Sequence, residues 1–217
     1  MRFLKALMFW LGLMGSAATY AQAPVPAAAP DPQNIWHLEL STGGMVTITL
    51  RPDVAPAHIE RIKLLTRAGF YDGVIFHRVI EGFMAQTGDP DGNGQGGSPL
   101  PDLKAEFNGL PHLRGTVSMA RTAENNDTAN SQFFLLFLPT ITLDGKYTVF
   151  GRITAGMQYV DMIERGEPPA APSKITRAWI DSDGRNAPRV ALIIPAPVAA
   201  VAAVAPPVTP EVPAATP

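Results

Sequence analysis

No cysteine occurs anywhere in the 217 residues. That absence excludes disulfides, thiolate nucleophiles, zinc–thiolate centres and iron–sulfur clusters. Stability must then come from a packed core, and the roughly 150 residues between two compositionally biased ends are enough to bury one. Basic clusters are absent too. The chain carries 17 Lys and Arg against 19 Asp and Glu, a net charge of −2. Such a balance argues against nucleic acid or an anionic lipid surface as the main partner. Histidine is scarce: the four, His37, His58, His77 and His112, are scattered, with no two at metal-ligand spacing. No metal site is expected.

The ends are distinctive. Residues 1–21, MRFLKALMFWLGLMGSAATYA, place Arg2 and Lys5 before an apolar run and then small residues. This is the pattern of a secretory signal peptide, cleaved after Ala21 or Ala23. The uncharged stretch Ala6 to Ala18 is shorter than the ~20 residues a bilayer span requires. Without Arg2 and Lys5, 15 basic residues face 19 acidic ones, a net charge of −4. Residues 22–33 read as a Pro/Ala-rich linker. Residues 195–217 hold seven prolines, eight alanines and five valines. Pro195, Pro197, Pro206 and Pro207 would interrupt a membrane-spanning helix, so an extended, disordered tail is expected and no membrane insertion of the mature protein. The folded unit is therefore 34–194.

Within it, Trp36, Leu38 and Leu40 alternate with polar residues, STGG follows, and Val46, Ile48 and Leu50 alternate again: an antiparallel hairpin. Pro56 opens a helix with Ile59, Ile62 and Leu65 on one face and Gly69 as its stop. A long Gly/Pro-rich loop covers about 90–111. TVSMA, SQFFLLF, VFGRI and KITRAWIDS read as strands, and GMQYVDMIERG as a second helix with Met157, Val160 and Ile163 on one side. Many short strands with two isolated helices indicate a mainly β fold, an antiparallel barrel or sandwich.

Two motif matches mislead. Gly92 to Gly97 fit a dinucleotide-binding glycine pattern, but SPLPDL follows where a helix should start. Asp89, Asp91 and Asn93 begin like a calcium loop, but its twelfth position holds Leu100 in place of a bidentate carboxylate. Ser118 and Ser131 lack a nucleophile-elbow setting. Asp89 and Glu81, lying among turn residues, read as solvated loop charges.

The stretch FHRVIEGFMAQTGD, 76–89, raises a sharper question. Arg78 is permanently charged and sits among apolar residues, with Gly82 as a bend. Alternation puts Phe76, Arg78 and Ile80 on one face, Met84 and Gln86 on another, and Gln132 and Phe134 on a third. If these faces meet, they frame an apolar pocket of Phe83, Met84 and Phe134 edged by one cation and two amides. Such a pocket suits a small apolar ring.

FHRVIEGFMAQTGD, GTVSMARTAENNDTANSQFFLLF and LDGKYTVFGRITAGMQYVDMI together resemble the cyclophilins, the cyclosporin-binding peptidyl-prolyl cis–trans isomerases. The likeness runs from about Trp36 to Ser182. It implies a closed eight-stranded antiparallel β-barrel capped by two α-helices, with a groove for X-Pro peptides. It places the catalytic arginine at Arg78, with Phe83 and Gln86 beside it. The proline pocket falls at Phe83, Met84, Phe134 and Leu143. Ala120, Arg121 and Gln132 match the neighbouring part of the groove, and Tyr147 stands where eukaryotic members carry a histidine. No cofactor is implied, because no covalent bond changes.

Thr142 stands where the best-known eukaryotic members have a tryptophan that contributes to cyclosporin binding. Tight cyclosporin binding is therefore not carried over. The signal peptide and the bacterial-like M-A-R-T form point to a periplasmic, monomeric folding catalyst acting on proline-containing polypeptides. The competing reading is a proline-peptide binder without turnover on the same barrel.

Overall fold

The structure, a computed structural model, describes residues 29–194. The expected signal peptide, 1–21, residues 22–28 of the expected linker and the expected tail, 195–217, lie outside the described residues. Eight strands follow in chain order: β1 (Ile35–Leu40), β2 (Gly44–Leu50), β3 (Arg78–Ile80), β4 (Met84–Thr87), β5 (Thr116–Met119), β6 (Phe133–Leu136), β7 (Val149–Ala155) and β8 (Ile175–Ile180). Two helices, α1 (Pro56–Arg67) and α2 (Met157–Asp161), accompany them. The strands form one antiparallel sheet in the order β3-β4-β6-β5-β7-β2-β1-β8. The mainly β reading is correct, and the hairpin register pairs Trp36 with Ile48 and Leu38 with Val46, one apolar face against another.

The expected closure of the barrel needs correction. No ladder joins β3 to β8. Val79 of β3 instead exchanges both backbone hydrogen bonds with Gly166, at 2.8 and 2.9 Å. The outer edge of a three-residue strand is thus already taken by the loop before β8. The seam is bridged only upstream, where Ile75 pairs with Lys174 and Phe76 N–H donates to Ser173 O. The same irregularity turns Phe76 into the core, away from the face of Arg78 that strict alternation assigned it.

One core lies between α1 and the sheet. Ile59, Ile62 and Leu65 are fully buried, as the helical spacing predicts, against Trp36, Tyr71, Phe133 and Phe150. Trp36 meets Phe133 and Tyr71 edge-on, with centroids 5.1 and 5.5 Å apart. α1 has no capping side chain of its own at Ala55. Glu106, from the long loop, caps it: its two oxygens accept from the backbone N–H groups of Ala57 and His58 at 3.1 Å, and the His58 ring Nδ1 lies 2.6 Å away. α2 is shorter than its apolar spacing suggested. Val160 and Ile163 are buried, but the Glu164 N–H that would extend the helix donates to Ser173 Oγ instead.

β6 shows how the sheet serves two surfaces. Phe133 and Leu135 enter the main core. Phe134 and Leu136, one residue out of phase, join Met84 in a second apolar cluster on the other face. That second cluster forms the floor of the site.

Candidate functional site

Gly82, at φ +69°, makes the bend between β3 and β4. The bend sets Arg78 directly opposite Gln86 in the ladder. β4 in turn pairs with β6, bringing Gln86 opposite Phe134. On the far side the chain leaving β5 supplies Ala120 and Arg121, and a 3-10 turn, Ile141–Leu143, supplies Leu143. Nine of the ten residues singled out in the sequence, Arg78, Phe83, Met84, Gln86, Ala120, Arg121, Phe134, Leu143 and Tyr147, line one hollow of about 300 Å³. The tenth, Gln132, lines an adjoining hollow of about 540 Å³, which shares Gln86, Ala120 and Arg121 with the first.

The first hollow has an apolar floor. Met84 and Phe134 are nearly fully buried, and Phe83, Ala120, Leu143 and Tyr147 pack around them. Phe134 meets Tyr147 edge-on at 5.7 Å. At its border Arg78 is about half exposed. Its Nε donates to Glu167 Oε2 at 2.6 Å. Both terminal Nη groups are left without a hydrogen-bond partner among the described residues. Arg121 behaves differently. Its guanidinium donates to the carbonyls of Lys146 and Thr122 and lies over the Tyr147 ring, 4.6 Å from its centroid. It is a fixed wall whose donors are mostly engaged.

The two glutamines form a short relay. Gln132 Nε2 donates to the carbonyls of Gly94 and Gly96, at 3.1 and 2.8 Å. Its Oε1 is thereby turned to accept from Gln86 Nε2 at 2.8 Å. The relay fixes which way the Gln86 amide points and leaves its carbonyl oxygen unpaired among the described residues.

The glycine loop that supplies those carbonyls is organised by Asp89, which corrects its reading as a solvated charge. The carboxylate is fully buried and accepts from the N–H groups of Asp91, Asn93 and Gly94. Burial alone would push its pKa up, but these bonds outweigh it and hold the carboxyl below its ordinary value. Lone pairs spent on N–H groups are not offered to a cation. Among the described residues no three His, Asp or Glu side chains are placed to hold a metal ion. His77 is a buried strand-entry histidine, and its ring nitrogens have no hydrogen-bond partner among the described residues. Burial, opposed by Asp89 and assisted by Arg78, lowers its pKa.

Glu167 was not legible in the sequence. It lies 89 positions from Arg78, in a proline-rich segment without periodicity. Its placement follows from the pairing of its neighbour Gly166 with Val79.

A family model described as cyclophilin type peptidyl-prolyl cis-trans isomerase/CLD matches residues 37–180. A probable peptidyl-prolyl cis-trans isomerase of Brucella suis biovar 1 (strain 1330) is 48% identical over 173 residues, covering 72% of this chain and 87% of the relative. Peptidyl-prolyl cis-trans isomerase B of Bacillus subtilis (strain 168) is 40% identical over 130 residues, covering 59% and 89%. Among solved structures, cyclophilin AquaCyp293 from Hirschia baltica superposes with a TM-score of 0.66 at 30% identity, over 71% of this chain and 76% of that one. A Cryptosporidium parvum cyclophilin type peptidyl-prolyl cis-trans isomerase, crystallised in the presence of the dipeptide Ala-Pro, gives 0.63 at 26% identity, over 67% and 98%.

Proposed function

The chain belongs to the cyclophilin-type peptidyl-prolyl cis-trans isomerases, and on that premise we propose that it accelerates rotation about X-Pro bonds in exported proteins, with Arg78 as the catalytic donor. The observation that carries this reading is the hollow itself: an apolar floor beside a cation whose two Nη groups have no hydrogen-bond partner among the described residues. That the Cryptosporidium relative was crystallised in the presence of Ala-Pro supports a proline as the occupant.

The chemistry asks little of the protein beyond position. Amide resonance raises a barrier of about 18–20 kcal/mol, and unaided X-Pro rotation takes tens to hundreds of seconds. In the twisted transition state the prolyl nitrogen becomes pyramidal and regains its lone pair. An Arg78 Nη–H bonds to that lone pair, which the planar ground state does not offer. Binding that strengthens only in the transition state lowers the barrier. Met84, Phe83, Phe134 and Leu143 hold the ring, and Gln86 Oε1 accepts from a substrate backbone N–H. Arg121 and Tyr147 form the wall past which the chain runs, and Gln132 keeps Gln86 in orientation. No bond is made or broken, so no cofactor is required.

Turnover is tested with an Ala-Pro peptide whose cis and trans forms are followed by exchange NMR. Added protein is expected to accelerate interconversion catalytically. Saturable binding without acceleration would leave a proline-peptide binder. Export is tested by sequencing the protein's N-terminus from the periplasmic fraction, where a start after Ala21 or Ala23 is expected. Retention of Met1 in the cytoplasm would remove exported proteins as clients.

A further inference from the structure

Beside the proline hollow, three polar side chains run in a line. His112, in the loop before β5, is fully buried. Its ring Nδ1 lies 2.8 Å from Asp144 Oδ1, and its backbone N–H donates to the same oxygen at 2.8 Å. Its Nε2 lies 2.9 Å from Ser118 Oγ. An ionised carboxylate can only accept, so Nδ1 carries the proton. Nε2 and the Ser118 hydroxyl share the hydrogen bond at the other side of the ring. The two bonds from His112, the backbone one foremost, hold the Asp144 carboxyl below its ordinary pKa and keep it ionised.

The order Asp–His–Ser is that of a hydrolytic triad, but the placement excludes that use. Ser118 and His112 are both fully buried, so no carbonyl carbon can reach the serine oxygen. What the line joins is more informative. Asp144 follows Leu143, a residue of the hollow. The turn that carries Leu143 is tied to His112 at both ends: Thr140 N–H donates to His112 O at 2.7 Å, and Asp144 accepts from His112. At the other end of the line, Ser118 sits directly opposite Phe134 in the β5–β6 ladder. The His112 ring lies near-parallel to the Phe134 ring, at 17° and 6.4 Å. Leu143 and Phe134 belong to elements that share no strand pairing, yet both must touch the same small ring.

We propose that His112 is a positioning residue, which through Asp144 and Ser118 sets the separation between the Leu143 turn and Phe134 and so the fit of the proline ring. This rests on the isomerase reading of the hollow. The direct test uses Asp144, whose side chain is 40% exposed, so its variants can fold. Asp144→Ala removes the tie, while Asp144→Asn keeps an oxygen acceptor in the same place.

The Ala variant is expected to raise both KM and the dissociation constant for an Ala-Pro peptide by about 3–10-fold, with kcat within about twofold, as for lost ground-state binding. The Asn variant should recover most of the loss. Imidazole 15N NMR of the wild type should show a ring protonated at Nδ1. A ring without a proton on Nδ1, or an Ala variant that melts earlier yet binds and turns over like wild type, would overturn the proposal. Should the wild type bind the peptide without turning it over, the isomerase reading falls, and the affinity ratio still decides the role of His112.

Discussion

Arg78→Ala should reduce kcat/KM for an Ala-Pro peptide by about 30- to 1,000-fold. That corresponds to the ~2–4 kcal/mol typical of removing one preorganised transition-state donor. The fold should be indifferent to the change. Arg78 is half exposed at the start of a three-residue strand, and its side-chain hydrogen bond runs to Glu167, itself half exposed. Exposed pairs of this kind contribute only about 0–1 kcal/mol. Glu167→Ala is therefore the control. It breaks the same ion pair but leaves both Nη groups, and its turnover should stay within about fivefold of wild type on that scale. Arg78→Lys keeps the charge but loses the planar fork, and it should remain closer to the alanine variant than to wild type. Stopped-flow isomerisation with circular dichroism on the same samples checks all three. If Arg78→Ala is folded and turns over like Glu167→Ala, the donor is not Arg78.

Glu106→Ala should cost about 2–4 kcal/mol of stability with little effect on turnover. Two losses add: the N-terminal cap of α1, about 1 kcal/mol, and the partner of a buried His58 N–H, about 1–3 kcal/mol. For a domain of this size that lowers the melting temperature by about 5–15 °C. The pair also fixes the direction of the pH dependence. Burial is the main influence on His58 and lowers its pKa from the usual 6.5, so the folded ring is neutral. Burial would raise the Glu106 pKa, but the bonds from His58 and Ala57 outweigh it and lower the value.

Both groups therefore bind protons more weakly folded than unfolded. Their contribution is complete above the unfolded values, begins to fall as pH drops below about 6.5 through His58, and falls further below about 4.5 through Glu106. The wild type should melt at nearly constant temperature above pH 7 and progressively earlier towards pH 4. Glu106→Ala should flatten the limb below about pH 4.5, where the carboxylate would titrate, and keep the His58 part above it, because Glu106 opposes the lowering of the His58 pKa. Calorimetry across that range, showing a variant with the wild-type midpoint at pH 7, would sink this account of the cap.

How much of this was legible in the residues varies by element. The hairpin, α1 and the strands TVSMA, SQFFLLF, VFGRI and KITRAWIDS follow from alternation and helical spacing, because each buries a face whose period the backbone dictates. The strand FFLL reads correctly as apolar throughout, but only pairing on both edges shows that it feeds two clusters. α2 illustrates the limit: Val160 and Ile163 are spaced as a helix would space them, yet Ser173 takes the amide hydrogen that would have continued it.

The sequence by itself determined the exclusions, the order of the elements and most of the residues around the hollow. Those are short-range properties: residue chemistry, periodicity, and bends at glycines such as Gly82. Tertiary structure alone decided which groups are free to act. Arg78 retains two Nη groups because Glu167, 89 positions on, takes Nε. Arg121 contributes a wall because Lys146 and Thr122 take its donors. Asp89 and His112 are buried where the chain pattern showed only loop residues. Hydrogen-bond partners drawn from distant segments leave no period in the sequence, so the chain has to fold before a donor can be counted as engaged or available.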